Sequence, residues 1–208
     1  MATLTLDREQ PGWHFWLLWM GASIAGVIVY VLVIPIVVGV VSVLAPMQQA
    51  ENLTPEQQWI VIAIRLLGSA ALGAALGVAQ WLVMRRYLRG AGWWVLATLL
   101  GYSVPLVAGP IFPFPELPRL PGIWMFLAFG VILGILQWLT LRGRVYQAGW
   151  WIAISIGGWL VAYALIGIAF LTGQYVEPFD MLSAFIVPVA VAGAGIILLL
   201  RRVAPVIS

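Results

Sequence analysis

The stretch Gly77-Val-Ala-Gln-Trp-Leu-Val-Met-Arg-Arg-Tyr-Leu-Arg-Gly-Ala-Gly-Trp-Trp94 joins the end of one apolar segment to the start of the next. It returns 57 residues later as Gly134-Ile-Leu-Gln-Trp-Leu-Thr-Leu-Arg-Gly-Arg-Val-Tyr-Gln-Ala-Gly-Trp-Trp151. Both copies place Gln-Trp before an Arg and follow a short turn with Ala-Gly-Trp-Trp. Self-similarity at a fixed period indicates a repeated supersecondary unit. Here that unit is a pair of apolar helices.

The composition is that of a membrane protein. Of the 208 residues, 63% are hydrophobic and 8% are charged, and the mean hydropathy is +1.07. Such a chain has too little polar surface to cover a water-soluble globule, and long uncharged apolar runs are typical of transmembrane helices. The absence of Cys from the sequence excludes disulfides, thiolate metal sites and a cysteine nucleophile.

Six apolar segments are long enough to cross the membrane, since about 30 Å of hydrocarbon takes about 20 helical residues. We predict spans at residues 16–41, 58–84, 93–107, 122–141, 150–171 and 179–200. Thr54-Pro55 is predicted to cap the second span. Pro105 is predicted to break the third span late, because proline removes a helical hydrogen bond.

Arginine placement predicts the orientation. The basic residues on one side are Arg8, Arg85, Arg86, Arg89, Arg142, Arg144, Arg201 and Arg202. The opposite loops carry Glu51, Glu56, Glu116, Glu177 and Asp180, with Arg119. The net charge of +3 therefore reports membrane orientation, and we expect no nucleic-acid partner. We predict a multi-pass protein of the bacterial inner membrane with both termini in the cytoplasm.

A degenerate third copy of the repeat is divided between the two ends of the chain. Gly12-Trp13-His14 is aligned with the two Gly-Trp-Trp sequences, so His14 stands where Trp94 and Trp151 stand. Gly193 precedes Arg201 by the same interval as Gly77 precedes Arg85, and Ile196-Ile197 replaces Gln-Trp. The predicted fold is an all-α membrane protein, one integral membrane domain over residues 1–208. Its six helices form three tandem hairpins, at about 12–90, 91–147 and 148–204, around a pseudo-threefold axis along the membrane normal.

The Gln-Trp-Leu-x-[Met/Leu]-Arg and Ala-Gly-Trp-Trp sequences resemble those of a group of multi-pass proteins from phototrophic and related bacteria. The resemblance covers about residues 77–102 and 134–159. It implies a membrane fold and brings no known activity. The three tandem hairpins are also similar to mitochondrial carriers, but the Pro-x-[Asp/Glu]-x-x-[Lys/Arg] motifs of that family are absent.

Small residues on the even-numbered spans predict close helix contacts. Gly73-x3-Gly77 and Gly130-x3-Gly134 place pairs of glycines one turn apart, and such faces let helix backbones approach closely in lipid. We therefore expect the even-numbered spans to form an inner ring.

Among the polar residues of the apolar segments, two glutamines and one arginine are candidates for a specific role. Gln80 and Gln137 occupy equivalent places about one turn inside the cytoplasmic boundary, where an amide needs a partner. We interpret them as contacts between hairpins, with a shared ligand as the alternative. Arg65 lies about 30 Å along a helix from Arg85, and we expect it to pair with an outer-loop carboxylate or to reach the interface.

The cytoplasmic interface is predicted to carry an aromatic and basic belt, because indole rings are amphipathic. Its members are Trp81, Arg85, Trp93, Trp94, Trp138, Arg142, Trp150 and Trp151. An alternative role for the same residues is a pocket for an anionic lipid headgroup. The only histidine, His14, is a candidate ligand for a haem or a chlorophyll-type pigment, but it has no second ligand nearby.

No catalytic motif and no metal-spaced cluster occurs in the sequence, and no carboxylate lies in the interior of a span, since Asp180 is at the outer end of the sixth. The first hypothesis is a non-catalytic protein: a structural or accessory subunit of a larger membrane complex, or a lipid- or pigment-binding scaffold. Its expected partners are membrane lipids, other membrane-protein subunits or a second copy of itself. We expect no cofactor; a bound lipid is a better candidate than a pigment. The alternative is a small transporter or channel along the pseudo-threefold axis.

Overall fold

The computed structural model describes residues 11–44, 54–88, 90–111, 123–173 and 179–201. Within these ranges the chain is all-helical, without strands. The helices are α1 (Trp13–Leu44), α2 (Pro55–Met84), α3 (Trp93–Ile111), α4 (Ile123–Leu141), α5 (Trp150–Leu171) and α6 (Phe179–Arg201). Four of them, α1, α2, α4 and α5, are long and apolar enough to cross a membrane, and residues 185–201 of α6 form a shorter apolar stretch.

Each predicted segment is helical, but the third helix is longer than predicted. Helix α3 continues past Pro105 to Ile111, so the prediction that proline breaks it there is wrong. A proline inside a helix removes one backbone hydrogen bond. Pro105 is almost completely buried, and packing around the ring offsets the loss of a single bond. Pro35 in α1 and Pro188 in α6 also lie inside helices.

The predicted start of the second helix is confirmed. Thr54 is the N-cap of α2, and its hydroxyl accepts a hydrogen bond from the backbone N–H of Gln57. The Gln57 side chain in turn accepts from the backbone N–H of Thr54. This reciprocal capping box satisfies two backbone donors that a helix start leaves without partners.

The helices pack as a closed ring in the order of the chain. Each helix contacts the helix before it and the helix after it, and α1 contacts α6 to close the ring. Among the described residues no other pair of helices comes into backbone contact. The expectation that even-numbered helices form an inner ring is therefore wrong, because their small residues face the adjacent odd-numbered helices.

Glycines set the closest approach between helices that are joined by the repeated motif. A Cβ atom added to Gly73 would lie 2.7 Å from the Cα of Leu99 in α3. The same atom on Gly130 would lie 2.8 Å from the Cα of Ile156 in α5. Only a residue without a side chain permits this separation, as in small-residue helix pairs in membranes.

The two turns that carry the repeated motif have the same length and closely similar hydrogen bonds. Residues 85–92 connect α2 to α3, and residues 142–149 connect α4 to α5; we call these segments the hinges. The first residue of each hinge donates its backbone N–H to a Trp carbonyl in the preceding helix, Arg85 to Trp81 and Arg142 to Trp138. Both hinges therefore hold consecutive helices side by side.

Candidate functional site

The polar centre of the ring is formed by the two glutamines of the repeat. The Gln80 side chain accepts a hydrogen bond from the indole N–H of Trp94 at 2.9 Å and donates one to Ser23 Oγ at 3.3 Å. The Gln80 amide thus links α1, α2 and α3. Because its residue is only 5% exposed, both bonds form away from solvent.

Gln137 repeats this arrangement one hairpin later. Its side chain accepts from the indole N–H of Trp151 at 3.1 Å and donates to Thr98 Oγ1 at 3.0 Å. This amide links α3, α4 and α5. Both glutamines therefore bond to neighbouring helices, so that these buried amides have partners within the chain.

The seam between α6 and α1 uses a different acceptor. Ile196, which stands in the place of the glutamines in the repeat, is completely buried and offers no polar atom. The indole N–H of Trp19 donates instead to the backbone carbonyl of Val189 at 3.1 Å. The neighbouring Trp16 donates to the carbonyl of Ala190. Backbone carbonyls of α6 thus take over the accepting role of the missing amide.

Three indole rings meet inside the ring of helices, and we call them the tryptophan layer: Trp19, Trp94 and Trp151. The ring centroids of Trp19 and Trp94 are 5.9 Å apart, and those of Trp94 and Trp151 are 5.4 Å apart. Both pairs have the edge-to-face geometry that aromatic rings prefer. Each of the three side chains is at most 1% exposed.

The residue of α1 that joins Trp94 in the tryptophan layer is Trp19. His14 is exposed at the start of α1, so the expectation that it replaces Trp94 and Trp151 is wrong. Trp19 takes that place. The signal that sequence reasoning missed is Trp-x3-Ser/Thr-x2-Gly, which starts at Trp19, Trp94 and Trp151. No residue of the described chain accompanies His14 in a metal-binding group, and its role as a pigment ligand stays a prediction.

A second group of rings lies deeper along the helices, and we call it the mixed aromatic layer: Tyr102, Phe129 and Trp159. Phe129 and Trp159 stack with centroids 4.8 Å apart, and Tyr102 contacts both rings. Between this layer and the tryptophan layer is a cavity of about 30 Å³. The two layers belong to two clusters of buried hydrophobic residues in the described part of the chain.

The predicted interface residues divide into two groups. Trp94 and Trp151 are buried in the tryptophan layer, so their assignment to the lipid interface is wrong. Their neighbours Trp93 and Trp150 are 66% and 59% exposed. Successive helical residues point about 100° apart, and one residue of each Trp-Trp pair therefore faces outward.

The remaining interface residues form two matching pairs. The guanidinium of Arg85 lies 5.3 Å from the ring centroid of Trp81, and that of Arg142 lies 5.7 Å from Trp138. Both distances fall within the range of cation–π interactions. The two arginines are exposed and the two indoles are partly buried, which leaves the charges accessible.

Arg65 is exposed on the outer face of α2. Among the carboxylates predicted to pair with it, Glu51, Glu116 and Glu177 lie outside the described residues, as does the side chain of Asp180.

Of the arginines predicted to lie on the cytoplasmic side, Arg8, Arg89 and Arg202 are outside the described residues. Arg201 donates to the carbonyl of Pro11 at 2.8 Å, which ties the end of α6 to the start of α1.

No family model, curated protein or solved structure matches the chain.

Proposed function

We propose that the chain is a non-catalytic integral membrane protein, a structural or accessory subunit that serves as a lipid-binding scaffold. The observation that carries this proposal is the tryptophan layer, in which Trp94 contacts both Trp19 and Trp151 in the ring interior. A conduit or a cofactor site along the axis would need that space. Packed indoles instead make the interior a core, and leave the outer surface for function.

In this proposal all six helices span the bacterial inner membrane as three hairpins around a pseudo-threefold axis. The hinges and both termini lie in the cytoplasm, as the concentration of arginine at that end favours. Recurring contacts support the three-hairpin arrangement. Gly26, Gly101 and Gly158 each follow a tryptophan of the tryptophan layer by seven residues, and each packs against the second helix of its own hairpin.

The ligand that best fits the cytoplasmic surface is an anionic lipid headgroup. Arg85 and Arg142 are exposed beside partly buried indoles. An arginine near the surface attracts anionic lipid by about 1 kcal/mol, and indoles favour the headgroup region. The two pairs belong to successive hairpins, so a scaffold of this kind would carry a headgroup site on each.

The alternative, a small transporter or channel, has one supporting observation. Gln80, Thr98 and Gln137 line the cavity near the axis. The side chains of Gln80, Thr98 and Gln137 are already hydrogen bonded to residues of neighbouring helices. Aromatic rings lie on both sides of the cavity. The observations therefore favour the scaffold.

Native mass spectrometry in mild detergent tests the lipid site. The protein is incubated with equal amounts of phosphatidylglycerol and phosphatidylethanolamine, and the retained lipids are counted. We expect preferential retention of phosphatidylglycerol. Arg142→Gln should weaken binding at one of the two sites about fivefold and so lower the number of retained phosphatidylglycerol molecules, since one surface arginine contributes about 1 kcal/mol. Arg65→Gln removes the same charge from the far end of α2 and is the matched control. Equal retention by these two variants would refute the site.

A further inference from the structure

The cavity between the tryptophan layer and the mixed aromatic layer is large enough for water and for nothing much larger. Its volume is about 30 Å³. A cavity needs roughly 10–15 Å³ to admit one water molecule, so this one has room for about two. Cavities lined only by apolar groups stay dry, whereas cavities with polar groups in the lining hold ordered water. The polarity of the lining therefore decides the occupant.

Two hydroxyl side chains at the cavity have no hydrogen-bond partner within the described part of the chain: Ser155 and Tyr102. Both line the cavity, and they are only 8% and 5% exposed. Buried polar groups in folded proteins are nearly always hydrogen bonded, to protein or to ordered water. The other amide and hydroxyl side chains of the lining, Gln80, Thr98 and Gln137, are bonded within the chain.

The position of Ser155 in the repeat explains why it lacks a partner. Ser23, Thr98 and Ser155 each follow a residue of the tryptophan layer by four positions. Ser23 accepts from Gln80, and Thr98 accepts from Gln137. The corresponding place on α6 holds Ile196, which is completely buried and has no donor. Of these three hydroxyls, the one of Ser155 therefore has no amide donor, and its residue lines the cavity.

We propose that the cavity is a binding site for structural water, held by the Ser155 and Tyr102 hydroxyls in place of the missing third amide. A buried water typically forms about three hydrogen bonds, and the neighbouring Gln137 and Thr98 oxygens have spare acceptor capacity. The water completes a polar layer that the glutamines complete at the other two seams. This site is independent of any headgroup binding at the surface.

X-ray radiolytic footprinting of the detergent-solubilised protein tests the site, because radiolysis of a bound water releases hydroxyl radical beside the residues that hold it. We expect oxidation of Tyr102 despite its burial. Met84 is the internal control, since it is 1% exposed and does not line the cavity, and methionine is readily oxidised. Oxidation of Tyr102 that does not exceed that of Met84 would overturn the proposal.

Two variants of Ser155 with nearly the same shape, one with and one without a hydroxyl, distinguish the effect of the hydroxyl from the effect of side-chain volume. Ser155→Thr keeps the hydroxyl and introduces the residue that α3 has at Thr98, so we expect oxidation of Tyr102 to persist. Ser155→Val introduces a side chain of nearly the same shape as threonine but without the hydroxyl. Loss of one hydrogen bond should lower oxidation of Tyr102 by about fivefold. Equal oxidation of Tyr102 in the two folded variants would show that the radicals come from bulk solvent.

Discussion

At the scale of single residues, the two glutamines decide how the hairpins are joined. The Gln80 amide accepts from the indole N–H of Trp94 and donates to the hydroxyl of Ser23. The Gln137 amide accepts from the indole N–H of Trp151 and donates to the hydroxyl of Thr98. An isolated interhelical bond in a membrane protein contributes about 0.6 kcal/mol on average. The cost of losing the amide is larger, because a buried indole N–H would remain without an acceptor.

Gln137→Leu is expected to lower the free energy of unfolding by about 1–3 kcal/mol, since the indole N–H of Trp151 loses its acceptor. The measurement is reversible unfolding in mixed micelles. Trp151→Phe removes the donor, and the double variant removes both partners. We expect the double variant to lose less stability than the two single variants added together. Costs that add to within about 0.5 kcal/mol would show that the two side chains are not coupled.

Residue-scale detail is also where the sequence was least informative. Trp93 and Trp94 are adjacent and chemically identical, yet one is 66% exposed and the other fully buried. The helical turn separates them, and the pattern around them is apolar on every side, so no polar face marked the direction of the core. Trp19 was missed because the alignment followed Gly12-Trp13, whereas the structure constrains the buried indole and the Gly26 seven residues after it.

At the scale of helices, the sequence predicted the elements well. The length of the apolar runs placed all six helices, and the Thr54-Pro55 cap fixed the start of α2. These features depend on local chemistry. The packing order was harder, because Gly73-x3-Gly77 predicts a close contact without naming the partner helix. The hinges supply that partner, since a turn of eight residues holds α2 against α3.

Gly130→Ala should separate α4 from α5. The added Cβ would lie 2.8 Å from the Cα of Ile156, and the backbone of α5 cannot rotate away as a side chain can. We expect a loss of about 1–3 kcal/mol in the free energy of unfolding, as for other overpacked contacts.

Gly157→Ala is the matched control for Gly130→Ala. No atom lies within 4 Å of a Cβ added at Gly157 in α5, and alanine is favoured over glycine inside a helix by about 0.5–1 kcal/mol. This variant should be as stable as the parent or more so. Equal destabilisation of the two variants in the same micelles would mean that the α4–α5 contact is not close.

At the scale of the whole molecule, the ring of six helices encloses side chains where a channel would enclose water. The tryptophan layer and the mixed aromatic layer occupy successive depths, with a cavity of about 30 Å³ between them. The ring closes through a different set of polar contacts at α6 and α1, where backbone carbonyls accept in place of a glutamine. We therefore propose that the molecule functions through its outer surface.

The central claim is that the ring interior is a packed core, and solute flux through proteoliposomes tests it most directly. Vesicles with and without the protein are challenged in a stopped-flow instrument with potassium chloride, urea or glycerol, and re-swelling is followed by light scattering. We predict that each solute enters both kinds of vesicle at the same rate. Faster entry of any of them into the protein-containing vesicles, altered by Trp94→Ala, would contradict the claim.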